Sequence, residues 1–280
     1  EVQRVKLAAI EAEYETQEAP ASFTLIGFPN DETMETEYAI KIPYLMGIIA
    51  TRSLDEEVVG LRDLQAEHEV RIRNGMIAYE YLQKLRNGEN SPENVRRFDE
   101  LKDDLGYGLL LKAYTPNVVD ATEAQIQAAV KDSMPPAAPL FWAFRIMVGC
   151  GVVMLGLFIL AFYYNAKRVI EKKRWLLKAI LFALPLPWIA IETGWFVAEF
   201  GRQPWAISEV LPTFLGVSNL TVSQVVTTMI AFITVYIILF TIEMYLMVKF
   251  ARLGPSSLHT GRYHFEQGQE ATASLRQSHY

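Results

Sequence analysis

Three long apolar segments fill the second half of the 280-residue chain. The first contains 19 consecutive uncharged residues, Ile146–Tyr164, about the length that a helix needs to cross a ~30 Å hydrocarbon layer. We therefore predict membrane-spanning helices over 137–166, 175–200 and 219–249, the second of them kinked by its Pro185-Leu186-Pro187 sequence. The predicted fold class is an all-α integral membrane protein with three transmembrane helices and a long, partly helical extracytoplasmic loop.

The charged residues are distributed unevenly between the two halves. Residues 1–136 carry 14 Lys+Arg and 25 Asp+Glu, whereas residues 137–280 carry 12 and 7. Because cytoplasmic loops of membrane proteins are enriched in basic residues, we place the connector 167–174 and the tail 250–280 in the cytoplasm. The acidic segment 1–136 and the loop 201–218 then lie on the extracytoplasmic side of the membrane. A pI near 5.4 argues against a nucleic-acid partner, which would require clustered positive charge.

The acidic segment is expected to fold. Its apolar spacing and its capping signals predict helices near 61–87, 92–105 and 121–133. The sequence 120–123, Asp-Ala-Thr-Glu, has the pattern of a capping box in front of the third helix. Residues 19–50 are richer in proline, glycine and aromatic residues, which favours an extended loop.

Ionisable side chains inside the predicted spans are candidate functional residues, because an unpaired charge in lipid costs several kcal/mol. They are Arg145, Glu192 and Glu199. Helical spacing places both glutamates on one face with two tryptophans, as the set Trp188, Glu192, Trp195 and Glu199. We expect this face to contact protein, a cavity or a cofactor. The alternative is that one glutamate forms a purely structural ion pair with Arg145 or Arg202.

Met147 lies two residues after Arg145 in the first span. A methionine in such a helix is usually a packing residue, but its thioether can also ligate haem iron, and a neighbouring arginine can hold haem propionates. The histidines lie outside the predicted spans, at His68, His259, His264 and His279. The Gly106–Gly108 sequence is expected to be a short turn, too short to form a phosphate loop.

Several runs of residues resemble subunit I of the cytochrome bd quinol oxidases, and together they cover nearly the whole chain. They are KLAAIEAEYET (6–16), PASFTLIGFP (20–29), IPYLMGIIATRS (42–53), DLGYGLLLKAYTPNVVDATEAQI (104–126), FRIMVGCG (144–151), PLPWIAIETGWFVAEFGRQPW (185–205) and KFARLGPSSLHTGRYHFEQ (249–267). The family's subunit is longer, so the resemblance implies a C-terminal part that starts inside the large outer loop called the Q loop.

The resemblance implies a respiratory terminal oxidase of the bacterial cytoplasmic (inner) membrane. Such an enzyme oxidises ubiquinol or menaquinol at the outer face and reduces oxygen to water, and it generates a proton-motive force without pumping protons. The implied cofactors are a low-spin haem b, a high-spin haem b and haem d. The implied partners are the missing N-terminal part of the subunit, subunit II and small accessory membrane subunits, besides quinol, oxygen and the lipid bilayer.

The resemblance also implies roles for residues at the membrane. Met147 matches the methionine that ligates the low-spin haem b, and Arg145 matches an arginine close to that haem. Glu199 matches the carboxylate assigned to the high-spin haem b, and Trp195 a tryptophan beside the high-spin haems. Arg202 falls near the haem cluster. Glu192, which shares the face of Trp195 and Glu199, is a further candidate for contact with a cofactor.

Lys6 and Glu11 match Q-loop residues implicated in quinol oxidation. A quinol hydroxyl needs a base, and Glu11 can be one. The two residues are five apart and do not share a helix face, so only the resemblance pairs them; from the residues alone both would be solvated charges. The predicted spans contain no histidine, so the remaining haem ligands are expected in the absent N-terminal part.

Two other functions remain open from the residues alone. One is a transporter or channel module that uses Glu192 and Glu199 as a proton or ion relay. The other is a non-catalytic membrane scaffold whose outer loop docks a partner.

Overall fold

The computed structural model describes residues 3–50, 55 and 57–253. Its helices and strands in chain order are α1 (Arg4–Glu11), β1 (Phe23–Asn30), β2 (Glu35–Ile42), α2 (Leu45–Ala50), α3 (Leu61–Arg86), α4 (Pro92–Leu101), α5 (Leu105–Leu110), α6 (Glu123–Asp132), α7 (Ala137–Ala166), α8 (Arg174–Phe182), α9 (Leu186–Phe200), β3 (Trp205–Ile207), β4 (Leu211–Pro212) and α10 (Val222–Leu253). The chain up to Val217 forms one compact unit, and α10 belongs to a second. The predicted tail from residue 254 onward, with three of the four histidines, lies outside the described residues.

Within the described residues, three helical stretches are long and apolar enough to cross a membrane: α7, the pair α8 and α9, and α10. At a rise of about 1.5 Å per residue, the 30 residues of α7 are about 45 Å long, enough to span the bilayer core. The middle stretch is interrupted between Phe182 and Leu186, where Pro185 and Pro187 lack the N–H groups that would continue the helix. The predicted fold class, an all-α integral membrane protein, is confirmed.

Local capping signals determine the helices of the acidic segment. Helix α3 ends at Arg86, and Gly88 follows with a φ of +92°, a conformation that glycine adopts without strain. The Ser91 hydroxyl caps α4 by accepting a hydrogen bond from the Asn94 N–H at 3.1 Å. The helix predicted over 92–105 ends at Leu101.

The capping box predicted at 120–123 is wrong by two residues. The N-cap of α6 is Thr122, and the Gln125 side chain accepts a hydrogen bond from the Thr122 backbone N–H at 2.9 Å. Asp120 instead lies in a short 3₁₀ turn, so the helix begins at Glu123 rather than at 121.

A β-hairpin replaces the extended loop that was predicted within 19–50. Strands β1 and β2 pair antiparallel from Phe23 opposite Ile42 to Asn30 opposite Glu35, with two register shifts in β1. Gly27 is required where the strands meet closely, because a Cβ there would lie 2.6 Å from the Thr36 methyl group. Glycine and proline inside β1 made this strand look like a loop in the sequence.

The Gly106–Gly108 sequence is helical, as part of α5, so the predicted turn is wrong. Its glycines allow contact between backbones, because a Cβ at Gly108 would collide with the backbone of Gly75 in α3. Tyr107 between them is buried in a hydrophobic cluster with Ile72 and Trp205.

Asp31, in the turn of the hairpin, fastens the acidic segment to the first membrane helix. Its Oδ1 accepts hydrogen bonds from the Ala137 N–H at 2.9 Å and from the Tyr14 hydroxyl at 2.7 Å, and its Oδ2 accepts one from the Ala138 N–H at 3.2 Å. These N–H groups belong to the first turn of α7 and have no partner within the helix. Helix α1 also packs against α7, which brings the start of the chain to the membrane helices.

Candidate functional site

A buried ion pair joins the end of α1 to the first membrane helix. The Glu11 side chain is 1% exposed, and its Oε2 accepts a hydrogen bond from Arg145 Nη2 at 3.0 Å. Its other oxygen, Oε1, is buried without a hydrogen-bond partner among the described residues. An unpartnered buried carboxylate oxygen costs free energy in a folded protein, and it marks a position where a ligand can bind.

All five N–H donors of Arg145 are used inside the chain. Besides Glu11, they bond to four carbonyl oxygens, those of Leu25 at 3.0 Å, Ile10 at 2.8 Å, Phe141 at 3.2 Å, and Thr24. A guanidinium has no more N–H groups than these five. The contact to haem propionates that was expected of Arg145 would therefore replace one of these bonds, and in this structure the arginine holds Glu11.

The environment of Glu11 suits a base. Burial raises the pKa of Glu11 to about 7, Arg145 opposes this rise, and the nearby Glu13 adds to it. A group with a pKa close to the working pH accepts and releases protons with the smallest free-energy penalty.

Lys6 lies at the other end of α1, against the end of α9. Its Nζ donates a hydrogen bond to the Ala198 carbonyl at 3.2 Å. Burial and the nearby Arg202 lower the pKa of Lys6, while Glu199 opposes the decrease. Lys6 and Glu11 do not pair with each other; instead, the two ends of α1 contact the two helices that carry the candidate haem ligands.

Met147 and Glu199, the two candidate iron ligands, lie on neighbouring helices. The half-buried Met147 directs its sulfur at Gly194 of α9, where a Cβ would lie 2.9 Å from Sδ. Glu199 is five residues further along α9, about 7.5 Å at the usual rise. Its carboxylate forms an ion pair with Arg202, one of the two partners expected for a purely structural ion pair, but both side chains stay nearly half exposed.

The tryptophan and glutamate face of α9 is not covered by the rest of the described chain. Trp188, Glu192 and Trp195 are all exposed on it. Aromatic rings beside carboxylates do not suit a lipid-facing surface, since burying the charges in lipid is expensive. A thioether, a carboxylate and flat aromatic rings suit an iron porphyrin, so the residues present fit haem.

Sequence reasoning missed two residues of this site, Glu13 and Thr24. Glu13 is only 5% exposed, and Thr24 is fully buried. In the sequence, Glu13 lies between two other glutamates in the pattern E-x-E-x-E, which is typical of a solvated charge run. No local signal distinguishes it, because its burial depends on the hairpin that folds over it.

The family model for cytochrome bd terminal oxidase subunit I matches residues 1–255. The chain belongs to this family. It is 45% identical over 268 residues to the cytochrome bd-II ubiquinol oxidase subunit 1 of Escherichia coli (strain K12), covering 96% of this chain and 52% of that protein.

Two relatives come from Bacillus subtilis (strain 168). The cytochrome bd ubiquinol oxidase subunit 1 is 26% identical over 255 residues, 91% of this chain and 42% of that protein. A putative cytochrome bd menaquinol oxidase subunit I is 30% identical over 142 residues, 50% of this chain and 31% of that protein. The chain thus spans about half, or less, of the length of the relatives it matches.

Proposed function

We propose that this chain is part of subunit I of a terminal oxidase that oxidises quinol at the outer face of the membrane and reduces oxygen to water, generating a proton-motive force without pumping protons. The observation that carries the proposal is the Glu11 carboxyl group. It is buried, its pKa is raised to about 7, and one of its oxygens has no hydrogen-bond partner in the part of the chain that the structure describes. Arg145, which holds it, lies two residues from Met147.

The residues of α1 act on the quinol. Glu11 takes the proton of a quinol hydroxyl at Oε1, the oxygen to which no described residue donates a hydrogen bond. Lys6, with N–H groups beyond the one bonded to Ala198, donates a hydrogen bond to a quinol oxygen and orients the ring. Arg145 fixes the orientation of the Glu11 carboxyl group and keeps it ionised part of the time at neutral pH.

The residues of α7 and α9 hold haem. Met147 is the proposed ligand of a low-spin haem b and Glu199 of a high-spin haem b, with Trp195, Glu192 and Arg202 around them. When bound, the haem groups, including haem d, supply one-electron transfer and oxygen chemistry. Methionine ligation raises the potential of a haem, which suits an acceptor of electrons from quinol.

The remaining parts of the enzyme are proposed from the family. They are the rest of subunit I with the other haem ligands, subunit II and small accessory subunits. The complex lies in the bacterial cytoplasmic (inner) membrane, with residues 1–136 on the extracytoplasmic side. The names of the relatives include both ubiquinol and menaquinol, so either quinol is a candidate substrate.

Two measurements on the purified complex test the proposal. The reduced-minus-oxidised absorption spectrum is expected to contain haem b and haem d bands, and added quinol is expected to drive oxygen uptake. A complex without haem bands would contradict the proposal and favour a transporter or channel that uses Glu192 and Glu199 as a relay.

A further inference from the structure

A second buried carboxyl group lies two residues beyond Glu11. The Glu13 side chain is 6% exposed, and three groups surround it. Its Oε1 accepts a hydrogen bond from the Thr24 hydroxyl at 3.3 Å and lies 3.6 Å from Lys41 Nζ, and its Oε2 accepts one from the Gln17 side-chain amide. Lys41 is 44% exposed, so it lies at the boundary between this cluster and the solvent.

The turn after α1 places both carboxyl groups on the inside. Ala12, at the end of the helix, has a φ of +51°, and the Glu13 N–H donates to the Ala8 carbonyl at 3.0 Å. This left-handed residue reverses the chain and ends the helix. The Thr36 hydroxyl donates to the Ala12 carbonyl at 2.9 Å, so the hairpin covers the turn and buries Glu13.

Thr24 and Arg145 connect the two carboxyl groups. Arg145 Nη2 donates both to Glu11 Oε2 and to the Thr24 carbonyl, and the hydroxyl of the same threonine donates to Glu13. The Glu11 side chain is 1% exposed, so it has almost no direct contact with the solvent. Glu13 is the other carboxyl group of this network, and Lys41 beside it lies at the boundary with the solvent.

We propose that Glu13, held by Lys41, accepts the proton that Glu11 takes from quinol and releases it to the solvent. The inference rests on the proposed function of Glu11. The proton passes from the Glu11 carboxyl group to a bridging water molecule, which gives a proton to the Glu13 carboxylate; this restores Glu11 as a base, and Glu13 then releases the proton to the solvent. The Arg145 guanidinium stays protonated and holds the network together without carrying the proton. Lys41 remains an ammonium ion throughout and stabilises the Glu13 carboxylate. Glu13 does not touch the quinol and acts only through Glu11, so we class it as a positioning residue and not as a catalytic one.

The charged groups that face Glu13 come from three elements: Glu11 from α1, Lys41 from β2 and Arg145 from α7. The other two polar neighbours, Thr24 and Gln17, are uncharged. Glu11 is the one other carboxyl group among these neighbours, so a change in charge at Glu13 is expected to act on Glu11.

The test compares Glu13→Gln, Glu11→Gln and Glu15→Gln in the complete purified complex. Glu15→Gln is the matched control, because Glu15 belongs to the same segment but is 77% exposed and pairs with Arg62. The measurements are kcat and KM for quinol-driven oxygen uptake across pH, the solvent deuterium isotope effect on kcat, and oxygen uptake driven by an artificial electron donor that bypasses quinol oxidation.

Glu13→Gln is expected to lower kcat for quinol by about 10-fold or more, with KM within twofold, and to raise the solvent isotope effect. Artificial-donor activity and the Glu15→Gln control are expected to stay at the wild-type level, and Glu13→Asp is expected to recover part of kcat. Lys41→Gln removes the ion pair with Glu13 and is expected to lower kcat for quinol without changing artificial-donor activity.

A Glu13→Gln complex with wild-type quinol kcat and isotope effect, alongside a defective Glu11→Gln complex, would overturn the proton route and leave the function of Glu11 intact. Wild-type quinol activity in Glu11→Gln would overturn the proposed function itself. If Glu13→Gln does not assemble, Glu13→Asp decides the matter: a lowered kcat with a raised isotope effect supports the route, and wild-type values overturn it.

Discussion

Replacing Arg145 with methionine removes the charge that keeps Glu11 ionised and retains a side chain of comparable length. The change leaves a buried carboxylate without a partner, since Arg145 Nη2 is the one donor to Glu11 Oε2 among the described residues and Oε1 has none. Removing one member of a buried ion pair costs about 3–5 kcal/mol. At 1.36 kcal/mol per pKa unit, this corresponds to a rise of about 2–4 pH units in the protonation midpoint of Glu11.

The assay is the pH dependence of quinol-driven oxygen uptake by the purified complex. In the wild type, burial raises the pKa of Glu11 to about 7, so the rate is expected to increase with pH through neutrality as the base form accumulates. In Arg145→Met the increase should move about 2–4 pH units to the alkaline side, which at pH 7 is a loss of roughly 50-fold or more that alkaline pH restores.

Two controls isolate the effect on Glu11. Oxygen uptake from an artificial donor and the low-spin haem spectrum report on Met147, two residues away, and identify any loss of haem. The double variant Glu11→Gln/Arg145→Met should lose this rise in rate through neutral pH, because the Glu11 carboxyl group that produces it is absent. A slower Arg145→Met enzyme whose rate still increases with pH around 7 would refute the reasoning.

Three further predictions concern the acidic segment and the haem. Asp31→Ala removes the acceptor for three hydrogen bonds at the start of α7 and should weaken the docking of the acidic segment on α7 by about 1–2 kcal/mol. The effect should be measured as roughly 5- to 30-fold faster proteolysis within α1. The control Glu32→Ala, at an exposed neighbouring residue, should change the proteolysis rate little. Burial lowers the pKa of His68 to about 4, so between pH 6.5 and 4 the folded state binds fewer protons than the unfolded state. The free energy of unfolding is therefore highest above pH 6.5 and should fall by about 3 kcal/mol as the pH falls to 4. This loss should be seen as acid-induced proteolysis, and His68→Gln should make the proteolysis less dependent on pH. Met147→Leu should remove or shift the low-spin haem b bands while haem d remains, and an unchanged low-spin spectrum would rule out the assignment.

The sequence predicts the membrane helices and the helices of the acidic segment because their signals are local. Uncharged runs identify the spans, and Ser91 before Pro92 begins a helix in the structure, as its pattern indicates. The hairpin was missed because glycine and proline inside β1 weaken the strand pattern, and its close packing at Gly27 depends on the partner strand.

The central contact of the site could not be predicted from local patterns. Glu11 and Arg145 are 134 positions apart, and nothing near either residue indicates the other. Lys6 and Glu11 were selected by resemblance alone, and the structure places them at opposite ends of α1, in contact with different membrane helices. The E-x-E-x-E pattern around Glu13 is typical of solvated charges, and the burial of Glu13 follows from the fold of the hairpin over Ala12.

The rate at which quinol reduces the low-spin haem in a single turnover tests the central claim most directly. In a stopped-flow experiment without oxygen, Glu11→Gln should slow reduction of this haem by quinol by about 100-fold or more, because the proton of the quinol hydroxyl has no acceptor. Reduction by dithionite, which needs no such base, should proceed as in the wild type. Reduction by quinol at the wild-type rate in Glu11→Gln would contradict the account.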